Sequence, residues 1–264
     1  MRRACVLVEA GSTPGRNPVL PPLRRQLAKV EVELVAWDPT GQLGLPPDAP
    51  DADLYLLKGD HPTILTAAGC LADSGARCLN SFAATEAAAD KARILARLAE
   101  AGLPVPATQV TGDRAALAAA LAVGARFVKP VRGAHGNGAR RREPGQADAA
   151  AGTGPWLVQE LVPSPGYDLK LYGVRDRVTA RRAPFVPGEV DVPREPVERP
   201  DPAVLRLARA AAEAAGLELY GVDMLETRDG PVIVDVNAFP GYRSVAEAPG
   251  WIAAVVLDAL VVPA

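Results

Sequence analysis

Residues Gly221 to Tyr242 read GVDMLETRDGPVIVDVNAFPGY. Two alternating apolar runs, Tyr220–Leu225 and Pro231–Val236, flank the turn-like Thr227-Arg228-Asp229-Gly230, which predicts a β-hairpin. Asp223 lies on the first arm; Asp235 and Asn237 lie on the second. Asp235 and Asn237 are two residues apart, so their side chains share one face, and Asp223 pairs across onto it. Solvated strand carboxylates are the plain alternative, but each Asp sits inside an apolar run, where an unpaired carboxylate is costly. Three hard oxygen donors converging on a sheet suit Mg²⁺, which keeps several waters and completes its shell from nucleotide phosphates.

Outward from this hairpin the chain divides into three parts. Residues 1–85 alternate apolar runs (Ala4–Glu9, Val32–Trp37, Leu54–Lys58, Arg77–Asn80) with helical stretches (Leu20–Lys29, Thr63–Ser74), which predicts a small parallel α/β layer on the substrate side. A helix is expected from about Ala83 to Ala101, stopped by Gly102, Pro104 and Pro106. The central unit, 86–162, has strands expected near Ala107–Val110, Arg126–Val131 and Trp156–Val162, with a helix at Arg114–Val123. The last unit, 163–264, opens with strands Asp168–Gly173 and Arg177–Arg182. A Pro-rich connection (184–202) follows, too rich in proline for a helix or a central strand, and is expected to lie over the site. A helix at Ala203–Ala215, the acidic hairpin and a helix at Trp251–Leu260 complete the chain.

Composition narrows the function. The 264 residues are 48% hydrophobic with a net charge of -2, so wholesale binding to nucleic acid or an acidic membrane surface is not expected. Cys5, Cys70 and Cys78 lack metal-site spacing, which favours free thiols in a reducing cytoplasm. The apolar run after Met1-Arg2-Arg3 is too short for a signal segment, and no run reaches the ~18 apolar residues of a membrane span.

Several segments carry candidate chemistry. Phe127-Val128-Lys129-Pro130 ends an apolar strand with a lysine. Behind it Gly133, Gly136 and Gly138 allow close backbone approach to phosphate oxygens. This is neither a Walker A loop nor a dinucleotide fingerprint. By itself it is equally compatible with a plain Gly-rich turn. If this loop closes over a bound nucleotide, His135 and Arg132 are expected to approach its terminal phosphate or the acceptor. The strand end Gln159-Glu160-Leu161-Val162 offers backbone groups that could read adenine, with Glu160 accepting from its amine; an ordinary strand end is the alternative. Asp168 and Lys170 share a strand face, a suitable pair for a ribose hydroxyl and a phosphate. Of Arg175, Arg177, Arg181 and Arg182, only alternate residues can face a site.

The order of these motifs resembles the ATP-grasp superfamily. The matching run is Asn80, Asp90-Lys91, GLPVPAT (102–108), FVKP (127–130), the glycine loop, VQELV (158–162), DLK (168–170), GVDM (221–224) and VDVNAFPGY (234–242). The resemblance implies an α+β fold, an ATP-grasp architecture with an N-terminal α/β layer, in which ATP lies between two lobes. It implies that Lys91 and Lys129 hold the phosphates, and that the glycine loop (Gly133, Gly136, Gly138) closes over them. Gln159, Glu160 and Val162 then bind adenine and Asp168 binds ribose. Lys170, Arg182 and His135 take the catalytic positions. Asp223, Asp235 and Asn237 bind two Mg²⁺. GLPVPAT looks like the RimK and glutathione synthetase type of carboxylate–amine ligase, although those ligases often carry Arg at the position of Lys170 and Glu at that of Asp235. LKLYGVRDRVTARR and DVNAFPGY look like inositol polyphosphate kinases. A ligase forming an amide through an acyl phosphate is the first expectation, and a kinase acting on a cyclitol or sugar hydroxyl is the alternative. A nucleotide-binding module without turnover is disfavoured, because every expected phosphate and metal position holds a competent side chain. The expected partner is a small-molecule substrate, bound by a monomer or homodimer.

Overall fold

The computed structural model describes residues 1–9, 17–133, 138–146, 154–163, 165–184, 186 and 192–261. Its first sheet contains β1 (Arg2–Leu7), β2 (Val32–Trp37), β3 (Leu54–Leu57) and β4 (Cys78–Leu79) in the order β2-β1-β3-β4, all parallel. Period-two alternation sends Cys5, Leu7, Tyr55 and Leu57 to one face, against Ile64, Ala67 and Ala68 of α2 (Pro62–Asp73). Ala4, Val6, Leu54 and Leu56 go to the other, where Leu23 and Leu27 of α1 (Leu20–Ala28) meet Ile252 and Val256 of a helix from the far end of the chain. Fully burying one such aliphatic side chain stabilises the fold by roughly 1.5–3 kcal/mol.

The single helix expected from Ala83 to Ala101 is two: α3 (Phe82–Ala88) and α4 (Lys91–Glu100). Asp90 makes the break. Its backbone is extended (φ -108°, ψ 101°), and its carboxylate accepts from Ala92 N and Arg93 N, a side-chain N-cap. Lys91 is thereby the first residue of α4 rather than a mid-helix side chain.

The second sheet is antiparallel: β5 (Thr108–Thr111), β6 (Arg126–Pro130), β7 (Arg140–Arg142) and β8 (Trp156–Gln159), in the order β5-β8-β6-β7. Leu117 and Leu121 of α5 (Arg114–Ala122) cover Val128, Trp156 and Val158.

The third sheet has the order β11-β10-β9-β12-β13, from β9 (Tyr167–Val174), β10 (Arg177–Pro184), β11 (Glu195–Pro196), β12 (Leu219–Thr227) and β13 (Gly230–Ala238). The last two form the anticipated hairpin. Among its described residues the Pro-rich connection contributes β11, a two-residue edge strand, where proline is tolerated. One face of this sheet packs on α6 (Pro202–Ala215) and on Ile94, Leu95 and Leu98 of α4. At its far end Tyr172, Val174 and Leu219 join the core under α7 (Ala248–Val261), so the first and third sheets share one hydrophobic core. Gly173 is required by a close approach: a Cβ there would run into the Tyr220 ring, whose hydroxyl donates to Arg175 O. Asn80 fastens the same junction. It is 1% exposed, accepts from Glu218 N and Leu219 N, and donates to Leu219 O.

Candidate active site

A cleft of about 780 Å³ opens between the second and third sheets and runs to the C-terminal end of the first. Sheet register builds its floor. Asp223 on β12 lies opposite Lys170 on β9 and opposite Asp235 on β13, so the three form a row across adjacent strands. A bulge after Asp223 shifts the ladder there, a device that re-aims side chains near sites. Asn237 follows two residues along β13 and lines the same cleft. Asp168 precedes Lys170 by two and shares its face. Lys170 Nζ donates to Asp223 Oδ2 at 2.8 Å and lies 3.7 Å from Asp168 Oδ2. Burial alone would pull the Lys170 pKa down, but Asp223 and Asp168 outweigh it and the net shift is upward. Asp168 is shifted the other way from most paired carboxylates. Burial pushes its pKa up to about 6; Lys170 opposes this, while Asp223 and Asp235 add to it.

Lys129 forms the opposite wall. It is 6% exposed, and its Nζ donates to Val234 O at 2.8 Å, spanning the cleft from β6 to β13. Burial lowers its pKa, Asp235 and Asp223 counteract this, and Lys91 reinforces it. Lys91 enters from the start of α4 and donates to Gly133 O. The structure thus brings Lys91, Lys129, Gly133, Asp168, Lys170, Asp223, Asp235 and Asn237 to one place. Of the glycine loop, Gly133 (φ 136°) and Gly138 (φ 76°) are left-handed; His135 and Gly136 lie outside the described residues.

The strand end beyond β8 lines the cleft through Glu160, Leu161 and Val162. Glu160 N is already bonded to Ala107 O, so of these backbone groups the ones nearer Val162 are better placed to read a base. Gln159 is 2% exposed and donates to Thr108 Oγ1, which makes it a support for this wall.

The catalytic assignment of Arg182 requires correction. Register places it opposite Leu169, on the reverse face from Lys170. There it stacks over Tyr167 and pairs with Glu226, and it does not line the cleft. The arginine on the site side of β10 is Arg181, opposite Lys170, and its guanidinium is engaged by Ser244 O and Thr179 Oγ1.

At the far end of the cleft sequence reasoning offered only His61, as a substrate or helix-cap position, and Arg243, as part of a basic pocket. It missed Lys58, Asp60, Tyr172 and Arg194, which line the cleft there with Glu9. Arg194 Nε donates to the Tyr172 hydroxyl at 3.0 Å. His61 caps α2 by accepting from Thr63 N through Nδ1. The signal for Lys58 was present: Leu54-Tyr55-Leu56-Leu57-Lys58 ends a buried strand with a lysine, as Phe127-Val128-Lys129 does. The signal for Tyr172 was the continuation of Asp168 and Lys170 at period two.

The donor set fits a divalent cation. Two carboxylates and an amide oxygen on one face match the few protein ligands Mg²⁺ takes when phosphates supply the rest. Among the described residues there is no cluster of three or more His, Cys, Asp or Glu that could hold a metal ion. Among the same residues no helix is long and apolar enough to cross a membrane.

Comparison with known proteins agrees with this geometry. The inositol 1,3,4-trisphosphate 5/6-kinase ATP-grasp domain profile matches residues 155–258. A probable alpha-L-glutamate ligase 2 of Hahella chejuensis is 30% identical over 214 residues, 71% of this chain and 67% of that protein. The ribosomal protein bS6–L-glutamate ligase of Escherichia coli O7:K1 is 31% identical over 192 residues, 67% of this chain and 64% of that protein. The chain therefore aligns with about two thirds of the length of these curated relatives. Among solved structures, a RimK domain ATP-grasp protein from Sphaerobacter thermophilus superposes with a TM-score of 0.78 at 24% identity, covering 98% of this chain and 100% of that one. D-cycloserine synthetase DcsG superposes at 0.75 with 20% identity, covering 98% and 99%. The chain belongs to the ATP-grasp superfamily, among its RimK-type carboxylate–amine ligases.

Proposed function

We propose that this protein joins a carboxylate to the amine of an amino acid, with ATP as the activating substrate. The observation that carries this reading is the row Lys170–Asp223–Asp235, facing Lys129 and Lys91 across one cleft. The nucleotide lies between the units at 107–162 and 163–264, its base toward Val162 and its ribose on Asp168. Asp223, Asp235 and Asn237 hold two Mg²⁺. These ions, when bound, neutralise the triphosphate and the charge that develops on the transferred phosphoryl group.

Lys129 and Lys91 hold phosphate oxygens in a partly closed site, where cations act more strongly than in water. Lys170, tied to Asp223 at 2.8 Å, stays charged on the cleft floor and neutralises charge on the transferred group. The substrate carboxylate oxygen forms a bond to the γ-phosphorus while the bond to ADP breaks. The amine nitrogen then bonds to the acyl carbon, inorganic phosphate leaves, and the nitrogen loses a proton. The mixed charges lining the far end, Glu9 and Asp60 with Arg194 and Arg243, suit a substrate bearing both an ammonium and a carboxylate. The names of the relatives support an amino acid there, glutamate first.

The kinase domain profile over 155–258 favours a second reading, phosphoryl transfer to a hydroxyl. The two differ in products. A ligase releases inorganic phosphate and, with hydroxylamine as the amine, forms a hydroxamate. A kinase forms a phosphate ester and releases none. Incubation with ATP, Mg²⁺, L-glutamate and a pool of carboxylates, followed by phosphate assay and mass spectrometry, decides between them.

A further inference from the structure

The turn that leaves β13 carries three non-glycine residues in the left-handed region: Phe239 (φ 49°), Tyr242 (φ 48°) and Ser244 (φ 61°). Each such residue is disfavoured and persists only where its surroundings hold it. Each has an anchor on a different strand or strand end. The Tyr242 hydroxyl, buried, donates to Gly173 O on β9 at 2.8 Å. Ser244 O accepts from Arg181 Nε and Nη2 on β10, at 3.1 and 2.7 Å. Phe239 O accepts from Lys58 Nζ at 2.9 Å, and Pro240 O accepts from the same ammonium at 3.0 Å.

The third anchor differs from the other two because it crosses from the N-terminal sheet. Lys58 follows directly on β3, is 5% exposed, and places its Nζ 4.6 Å from the centre of the Phe239 ring. Among the described residues no carboxylate pairs with it; two carbonyl dipoles and a ring face receive the ammonium instead. Burying a charge in this way is costly. Burial, with Arg243 adding to it, pulls the Lys58 pKa down to about 7. The turn it holds begins two residues after Asn237 and carries Arg243, and both residues line the cleft.

We propose that Lys58 is a positioning residue: it clamps the Phe239–Arg243 turn to the end of β3 and so sets Asn237 and Arg243 in the cleft. The inference rests on the metal-site reading of Asp223, Asp235 and Asn237, and goes beyond it by giving the N-terminal sheet a part in metal-dependent nucleotide binding. Groups that orient metal ligands typically cost 10–100-fold in metal affinity or activity when removed. Binding of a non-hydrolysable ATP analogue, measured by calorimetry with and without Mg²⁺, tests the proposal on Lys58→Met, Lys58→Arg and Asp235→Asn. The expected result is a loss of about tenfold or more for Lys58→Met with Mg²⁺, little change without it, and substantial recovery in Lys58→Arg, which keeps charge and donors. A merely structural lysine would weaken both conditions alike, and that outcome overturns the proposal. So does an unchanged Mg²⁺ dependence in Lys58→Met while Asp235→Asn loses it. If Asp235→Asn also keeps its Mg²⁺ dependence, the metal-site reading itself fails and the clamp with it. Should Lys58→Met not fold, Lys58→Gln, with two N–H donors on a shorter neutral arm, must show the same Mg²⁺-selective loss; equal behaviour to the parent overturns the proposal.

Discussion

Asp168 shows how single residues set this site against the stability of the fold. Its carboxyl is buried, and its pKa is raised to about 6 from an ordinary value near 3.8. The folded state therefore holds the proton more tightly than the unfolded chain does. The stability this contributes is fully present below about pH 4 and is lost as pH rises through 6. Ionised Asp168 then costs the fold on the order of 3 kcal/mol, a strain of the kind binding sites carry. Asp168→Asn is predicted to flatten the fall in stability between pH 4.5 and 6.5 seen by urea denaturation, while weakening nucleotide binding. Equal slopes in parent and variant would contradict this. At this scale the sequence was largely legible: period two set Asp235 with Asn237 and Asp168 with Lys170, and the hairpin brought Asp223 across to Asp235. Arg182 was misplaced for the same physical reason. Arg181 and Arg182 are adjacent, and only the register against β9 says which one faces Lys170.

At the scale of elements, the break between α3 and α4 decides where Lys91 points. Alanine-rich sequence on both sides favours one continuous helix by propensity, and that preference hid the cap. Asp90 competes locally by accepting from two backbone N–H groups. Asp90→Ala should destabilise the protein by about 1 kcal/mol, a fall in Tm of roughly 2–4 °C for a domain of this size. It should also reduce nucleotide affinity, because Lys91 loses its fixed place at the helix start. Thermal unfolding and analogue binding on the same variant check both; an unchanged affinity would show that Lys91 finds the phosphates without the cap. Of the Pro-rich connection, the described residues Pro184, Val186, Val192 and Arg194 line the cleft, as expected of a segment lying over the site. Its short strand β11 was not legible, because two paired residues leave no periodic trace. The expectation that the glycine loop closes over phosphate concerns residues that lie partly outside those described.

At the scale of the whole molecule, the N-terminal sheet is part of the site rather than an appendage. It shares a hydrophobic core with α7 and the third sheet, and Asn80 joins it to the start of β12 through two hydrogen bonds to Leu219 and one from Glu218 N just before the strand. Sequence order placed Asn80 among the motifs, but its role depends on contacts more than 130 residues away, which no local pattern reveals. Asn80→Ala leaves buried backbone groups of β12 without partners, at about 1–3 kcal/mol for each unsatisfied group. A loss of several kcal/mol in urea unfolding is expected, and a loss below about 1 kcal/mol would mean that water or rearrangement replaces the bonds. The central claim, however, is chemical: the cleft activates a carboxylate by phosphorylation. Supplying the protein with ATP, Mg²⁺, L-glutamate and carboxylates labelled with ¹⁸O, then weighing the released phosphate by mass spectrometry, tests it most directly. The account predicts one labelled oxygen in the phosphate for each amide formed. Unlabelled phosphate, or a phosphate ester with no phosphate released, would contradict it.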